Sequence, residues 1–168
     1  MKAIPFGRLS IGGSKTVIIA ELADSHNGSI ETAKKLVDAA KAAGADVAKF
    51  QIHLPDVEMV PGKVKMWDGD LYEILKRNLF TPDMHKEMIA YCDQVGIEYL
   101  CTPFCPAAVD VLNDLGVKAF KTGSGEIMNL PQHRRLAKIS ASAAFSLVAA
   151  LVPLTALAPE MALLPIRA

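Results

Sequence analysis

No charge of either sign predominates in this sequence. Lys plus Arg and Asp plus Glu both number 18 in 168 residues, so the formal net charge is zero. Without a basic excess, nothing points to nucleic acid or an anionic membrane as a partner. Cysteine is scarce and odd in number. Cys92, Cys101 and Cys105 form no disulfide framework, which suits a reducing compartment. Cys101 and Cys105 are separated by a segment containing Pro103, and no second Cys/His pair follows, so no zinc site is expected. The opening MKAIPFGRLS lacks an apolar core of signal-peptide length, and a cytoplasmic location is expected.

What is present is enough chain for one domain, burying about 70% of its unfolded surface. Residues 1–16 are short apolar pieces, with Gly12-Gly13 read as a hairpin turn. VIIAE, 17–21, is an apolar run ending on a carboxylate. IETAKKLVDAAKAAG carries Ala33, Leu36, Val37, Ala40 and Ala43 on one helical face and charges on the other, and Gly44 is placed to end it. AGADVAKFQ, VGIEYLCT and LGVKAFKT then repeat one phrase: helix end, glycine, apolar strand, polar strand end. The helix before the second starts at Thr81-Pro82 and should bury Met84, Met88, Tyr91, Cys92 and Val95. The helix before the third should bury Ala108, Val111, Leu112 and Leu115. The connection 52–80, which holds Trp67, shows little periodicity and reads as a long functional or disordered loop.

Strands near 17–21, 46–51, 97–102 and 117–122, alternating with helices, predict an α/β fold with a parallel sheet and right-handed crossovers. Ligands of such sheets bind at the carboxyl ends of the strands. DVAKFQIH is the telling strand, because Lys49 and Gln51 share one of its faces. An edge strand with one wet face would explain them; so would an anion site. The other polar strand ends are Glu21, Thr102, Lys121, Ser124 and Glu126. Any one of them could simply mark where a strand leaves the core. Together, two lysines beside hydroxyl donors suit a small anion such as phosphate or carboxylate.

IIAELADSHNGSIETAKKLVDAAKAAGADVAKFQ, CTPF and FKTGSGEIMNLP, in that order, resemble the sialic acid synthase family, which includes N-acetylneuraminate, legionaminic acid and pseudaminic acid synthases. The resemblance runs from about residue 17 to 139. It implies a (β/α)8 TIM-type barrel, here truncated to about the first four βα units, and an enzyme that forms a C–C bond. That enzyme would condense phosphoenolpyruvate with an N-acetylated amino sugar of the N-acetylmannosamine type. Its products are a nonulosonic acid for surface polysaccharide and phosphate. By the same resemblance Lys49, Thr102, Lys121 and Ser124 would hold the two anionic ends of phosphoenolpyruvate. Gln51 would meet the sugar, and Glu21 and Glu126 would be catalytic. A Mn²⁺ or Mg²⁺ ion is implied, with its ligands expected downstream of this chain. The family works as a domain-swapped homodimer, and this chain lacks the swapped domain. In the first loop Ser25 stands where the family commonly has Asn, and Asn27 or Ser29 could serve only to cap the next helix. The rival readings are a fragment that at most binds phosphate-containing ligands or a partner protein, and another phosphoenolpyruvate-using aldol synthase. The HNG and GSGE loops argue against the latter.

Residues 140–168 depart from that pattern. Of these 29 residues, 9 are Ala, 6 Leu and 3 Pro, and only Glu160 and Arg167 are charged. Prolines 153, 159 and 165 interrupt any helix. The segment reads as an out-of-frame or disordered tail that adds no fifth strand. A membrane segment over 139–159 and a genuine alternative end covering the sheet edge are the alternatives. Four βα units alone would leave unpaired edges and an uncovered lumen face.

Overall fold

Alternating strands and helices wind in one direction along the chain. The structure, a computed structural model, describes residues 3–62, 64–66, 69–139 and, by backbone alone, 144–145. A hairpin of β1 (Ile4–Phe6) and β2 (Leu9–Ile11) comes first, followed by β3 (Ile19–Ala23), α1 (Ile30–Ala42) and β4 (Val47–Ile52). Then come α2 (Pro55–Glu58), the small pair β5 (Lys65–Met66) and β6 (Gly69–Asp70), and α3 (Leu71–Arg77). The remainder is α4 (Pro82–Val95), β7 (Glu98–Pro103), α5 (Pro106–Asp114), β8 (Phe120–Lys121), a 3₁₀ turn (Ser124–Met128), α6 (Leu130–Ile139) and β9 (Ala144–Phe145). One parallel sheet runs β3-β4-β7-β8-β9. Strands in strictly sequential order are the arrangement of a barrel wall; a doubly wound sheet reverses partway.

The helices form where the sequence signals them. Ser29 caps α1 by accepting from the Thr32 amide, and Gly44 follows it in the left-handed region at φ 86°. Thr81 caps α4 with Pro82 in its first turn, and Gly96 ends it at φ 79°. Ala33, Val37 and Ala40 from α1 pack with Met88 and Cys92 from α4, and Ala108, Val109 and Leu112 from α5 join them. They meet the outward face of the sheet, formed by Ala20, Leu22, Ala48, Phe50, Ile52, Tyr99 and Cys101.

Several expectations need correction. The hairpin turns at Gly7-Arg8, with Phe6 opposite Leu9, and not at Gly12-Gly13. Only its first central residue, Gly7, has positive φ, 56°, the requirement of a II′ turn. A Cβ on Gly7 would also collide with the carboxylate of Glu98. That carboxylate anchors the hairpin by accepting from the Arg8 amide at 2.8 Å and pairing with its guanidinium at 2.9 Å. The hairpin covers the amino-terminal half of the inner sheet face, where Phe6, Leu9 and Ile11 pack with Val17, Val47, Leu100 and Ala119. So that half of the lumen face is not bare. The connection 52–80 is structured over much of its length, because Asp70 caps α3 by accepting from the Tyr72 amide at 2.9 Å; Trp67 lies outside the described residues. The first strand begins two residues later than expected, which leaves Glu21 inside it. The fourth is a strand only at Phe120–Lys121.

Ala144 and Phe145 pair parallel with Phe120 and Lys121, so a short fifth strand does form. The free edge of β8 offers unpaired backbone groups, which a two-residue segment can satisfy whatever its side chains. The remainder of 140–168 lies outside the described residues, including most of the stretch considered as a membrane segment. No helix among the described residues is long and apolar enough to cross a membrane.

In α4 the buried face includes His85, a residue absent from the expected apolar set. Its Nδ1 lies 2.7 Å from the Tyr99 hydroxyl, and Nε2 has no partner among the described residues. Burial lowers its pKa from 6.5 to about 3, with the charges of His26 and His53 adding to the effect. The folded chain therefore refuses a proton that the unfolded chain accepts. The stability from keeping His85 neutral is complete above pH 6.5 and is lost as pH falls toward about 3. The contribution at pH 5 is a loss of about 2 kcal/mol relative to pH 7. Urea melts at both pH values should show a drop smaller by that amount in His85→Leu than in wild type. Equal drops would refute it.

Candidate functional site

Register decides which polar side chains meet. Glu21 on β3 is level with Lys49 on β4, and Gln51 is level with Thr102 on β7. Cys101 faces Phe120, so one residue further Thr102 stands beside Lys121. Side chains alternate along each strand. Glu21, Lys49, Gln51, Thr102 and Lys121 therefore share the inner face, in its carboxyl-terminal half, directly above the apolar layer covered by the hairpin. Five of the seven residues expected from sequence are thus brought together.

This layer is nearly dry. Lys49 is 4% exposed, Thr102 1% and Lys121 6%. Lys49 is not an isolated cation: its ammonium is ion-paired with Glu21 Oε2. The other carboxylate oxygen of Glu21 and the Thr102 hydroxyl have no hydrogen-bond partner among the described residues. Burial pulls Lys121 below the usual lysine range; the Lys49 charge pulls the same way, and Glu21 partly offsets them. No carboxylate among the described residues forms an ion pair with Lys121. Two ammonium groups, one carboxylate and an open hydroxyl donor leave a buried face short of negative charge.

Above this layer lies a second cluster, from the loops that follow β3 and β4. A bulge between Glu21 and Ala23, with Ala23 at φ 45°, bends the end of β3 and sends Asp24 over the rim. Asp24 Oδ2 lies 3.6 Å from His53 Nε2. His53 Nδ1 lies 2.6 Å from Glu58 Oε1, and its ring stacks on Phe104 at 4.2 Å. Burial raises the Asp24 pKa above the usual carboxylate range. His53 opposes that shift, while Glu58 and Glu21 add to it. His53 and Glu58 were missed from sequence. His53 could have been found, because it continues the alternation Lys49, Gln51, His53; Glu58 sits in a segment without a readable period.

The HNG loop is structural. His26 is fully buried against Phe80, with ring centroids 4.1 Å apart, and its Nδ1 accepts from the Gly28 amide. Burial lowers its pKa to about 4. Asn27 adopts φ 49° in the turn, and the helix cap falls to Ser29.

Ser124 and Glu126 are not part of the buried layer. Ser124 is exposed in the 3₁₀ turn beyond β8. Glu126 Oε2 accepts from Asn129 Nδ2 at 2.7 Å. Asn129 Oδ1 accepts from the Gln132 amide, and Gln132 Nε2 donates to the Pro103 carbonyl at 3.1 Å. This chain ties the turn to the end of β7. A methyl group on Gly123 would touch Thr102, Phe104 and Glu126, so the turn borders the cleft. No group of three or more His, Cys, Asp or Glu among the described residues is placed to hold a metal ion. The described residues therefore do not by themselves form a site for the implied divalent cation.

Removing Lys49 should leave the Glu21 carboxylate buried and unpaired. Lys49→Met is expected to destabilise the chain by about 3 kcal/mol, and Glu21→Gln/Lys49→Met to recover most of that loss. Urea denaturation of the three proteins checks this. A single variant as stable as wild type would mean the pair is not coupled.

The NeuB family model matches residues 36–151, a span that runs past residue 139, where the resemblance was expected to end. The chain is 38% identical over 134 residues to the N,N'-diacetyllegionaminic acid synthase of Campylobacter jejuni, covering 75% of this chain and 40% of that protein. It is 35% identical over 140 residues to the N-acetylneuraminate-9-phosphate synthase of Mus musculus, covering 79% and 39%. The solved N-acetylneuraminic acid synthetase of Leptospira borgpetersenii, in complex with citrate, matches with a TM-score of 0.70 at 25% identity, covering 82% of this chain and 47% of that one. The spore coat polysaccharide biosynthesis protein spsE of Bacillus subtilis matches at 0.66 and 27% identity, covering 82% and 38%. The chain spans about 40% of the length of these curated relatives. A family model that fits well over half of the chain, on a sheet shared with those solved structures, means that the chain belongs to the NeuB family.

Proposed function

We propose that this chain carries the phosphoenolpyruvate-holding face of a synthase that makes a nonulosonic acid from phosphoenolpyruvate and an N-acetylated amino sugar. The observation that supports it best is the buried, cation-rich layer of Lys49, Thr102 and Lys121, with Gln51 beside it. Phosphoenolpyruvate has a phosphate and a carboxylate. A dianionic ligand between Lys121 and Lys49 would relieve the repulsion and desolvation that lower the Lys121 pKa. The Thr102 hydroxyl, unpartnered among the described residues, is free to donate to it.

In this reading the enol carbon of phosphoenolpyruvate attacks the aldehyde carbon of the open-chain sugar and a C–C bond forms. Water adds to the resulting cationic carbon, and phosphate leaves by C–O cleavage. Fixed ammonium groups hold the anion without solvent rearrangement during the reaction. The free oxygen of Glu21 faces the same layer and can accept the proton that the adding water releases, the former aldehyde oxygen takes up one proton to become a hydroxyl, and Gln51 offers an amide to the sugar. Ser124 and Glu126 would join from the bordering turn. A Mn²⁺ or Mg²⁺ ion would supply Lewis-acid polarisation of the aldehyde, held by groups other than those described. A second reading, a chain that binds the anion without turnover, requires only the layer of Lys49, Thr102 and Lys121.

Phosphoenolpyruvate titrated into the full chain and followed by NMR should bind with roughly millimolar affinity, the yield of two charge-assisted contacts. Lys121→Met should keep the fold and lose most of that binding. Equal binding by the variant would overturn the anion assignment. Phosphate release on adding N-acetylmannosamine and Mn²⁺ to the same samples separates the two readings: turnover marks the synthase, and binding without release marks the second.

A further inference from the structure

The cluster over the rim has no part in holding the anion, yet its geometry is specific. We propose that His53, held by Glu58, is a positioning residue that sets which end of the Gln51 amide faces the cleft. It would thereby decide whether the site offers a donor or an acceptor to a hydroxyl- and amide-bearing sugar. This deepens the reading above and rests on it only for the identity of the ligand.

Three contacts fix the imidazole. Nδ1 lies 2.6 Å from Glu58 Oε1, the ring stacks on Phe104 with planes 14° apart, and Glu58 is itself held because its Oε2 accepts from the Leu54 amide at 3.3 Å. A carboxylate can only accept, so Nδ1 carries a hydrogen. The remaining nitrogen, Nε2, points at the Gln51 side chain, 3.4 Å from Oε1. If Nε2 also carries a hydrogen, it donates to the Gln51 carbonyl and the Gln51 NH₂ group faces the cleft. If Nε2 is bare, the NH₂ group turns to it and the carbonyl faces the cleft. In the structure the Gln51 carbonyl oxygen is the atom turned toward Nε2. His85 shows what a structural histidine looks like in this fold: fully buried, within a helix, with its polar neighbour also in the core. His53 differs, being 14% exposed at the mouth of the cleft and directed at a residue of the binding layer.

The charged groups around His53 are known. Glu58 faces Nδ1 from α2, and Asp24 faces Nε2 from the loop after β3 at 3.6 Å. Glu21 and Lys49 lie below, paired with each other. Glu58 therefore holds the ring from one side while Gln51 and Asp24 meet it from the other, so removing Glu58 should release the ring and disturb the Gln51 amide.

The test uses the full 168-residue chain, labelled with ¹⁵N. The Gln51 side-chain amide signals are assigned by their loss in Gln51→Glu. In His53→Phe, which keeps the stack on Phe104 but removes Nε2, and in Glu58→Gln, which removes the carboxylate on Nδ1, those signals should move away from their wild-type positions. Gln51 amide signals unmoved in either variant overturn the proposal. In a second arm, N-acetylmannosamine is added to chain saturated with phosphoenolpyruvate. His53→Phe should weaken the sugar by about fivefold, the effect of one misdirected hydrogen bond, and leave phosphoenolpyruvate unaffected. Normal sugar affinity in that variant counts against His53. A wild type that binds no sugar, while both variants move the Gln51 signals, supports the positioning role and removes the sugar assignment alone.

Discussion

A lysine ammonium almost out of water in the middle of a parallel sheet is the constraint around which the rest is arranged. Lys49 is tolerable there only because Glu21 stands level with it on the next strand. That pairing ties β3 to β4 in a single register. A slip of one residue would turn Lys49 into the helix-packed core and bring Phe50 onto the polar face. The register of β7 follows from β4, and with it the meeting of Thr102 and Gln51. One ion pair is thus both a device that selects register and the floor of the candidate site.

The inner face is stratified, and the stratification explains how a sheet of five strands keeps charges buried. Its lower half is apolar and covered by the β1–β2 hairpin, which is pinned through Glu98 and Arg8. Its upper half is polar and opens toward the loops at the carboxyl ends of the strands. Water excluded from below strengthens the field of the lysines above, because the same charges act through a lower effective dielectric. The two halves depend on each other: without the hairpin, the polar layer would be solvated from beneath and its attraction for an anion weakened.

The loops differ in how they are held. The loop after β3 is braced by His26 packed among Phe50 and Phe80. The turn after β8 is braced by Glu126, Asn129 and Gln132 reaching the end of β7. The loop after β4 is braced by Glu58 through His53. The first two braces close on the core or on backbone, whereas the third closes on a side chain that also faces the cleft. This difference singles out His53 as part of the site and assigns His26 to the scaffold.

The sequence by itself determined the βα alternation, the helix cap at Thr81, the breaks at Gly44 and Gly96, and the face shared by Lys49 and Gln51, and left the cap of the first helix open between Asn27 and Ser29. Each depends on residues within one turn or one strand, where period and cap chemistry are local. Tertiary structure decided what depends on contacts across the chain. Glu21 proved to be the partner of Lys49, although 28 positions separate them in sequence. Glu98, inside an apolar run, proved to be the anchor of a hairpin through Arg8, 90 residues earlier. His85 entered the core because Tyr99 could meet its nitrogen. Ala144 and Phe145 joined the sheet because β8 had an open edge, a backbone demand that their side chains do not announce. His53 and Glu58 became a pair only when α2 formed in a stretch whose pattern predicts no helix. A polar residue in an apolar stretch can be noticed from sequence, but its partner is chosen by which strands become neighbours.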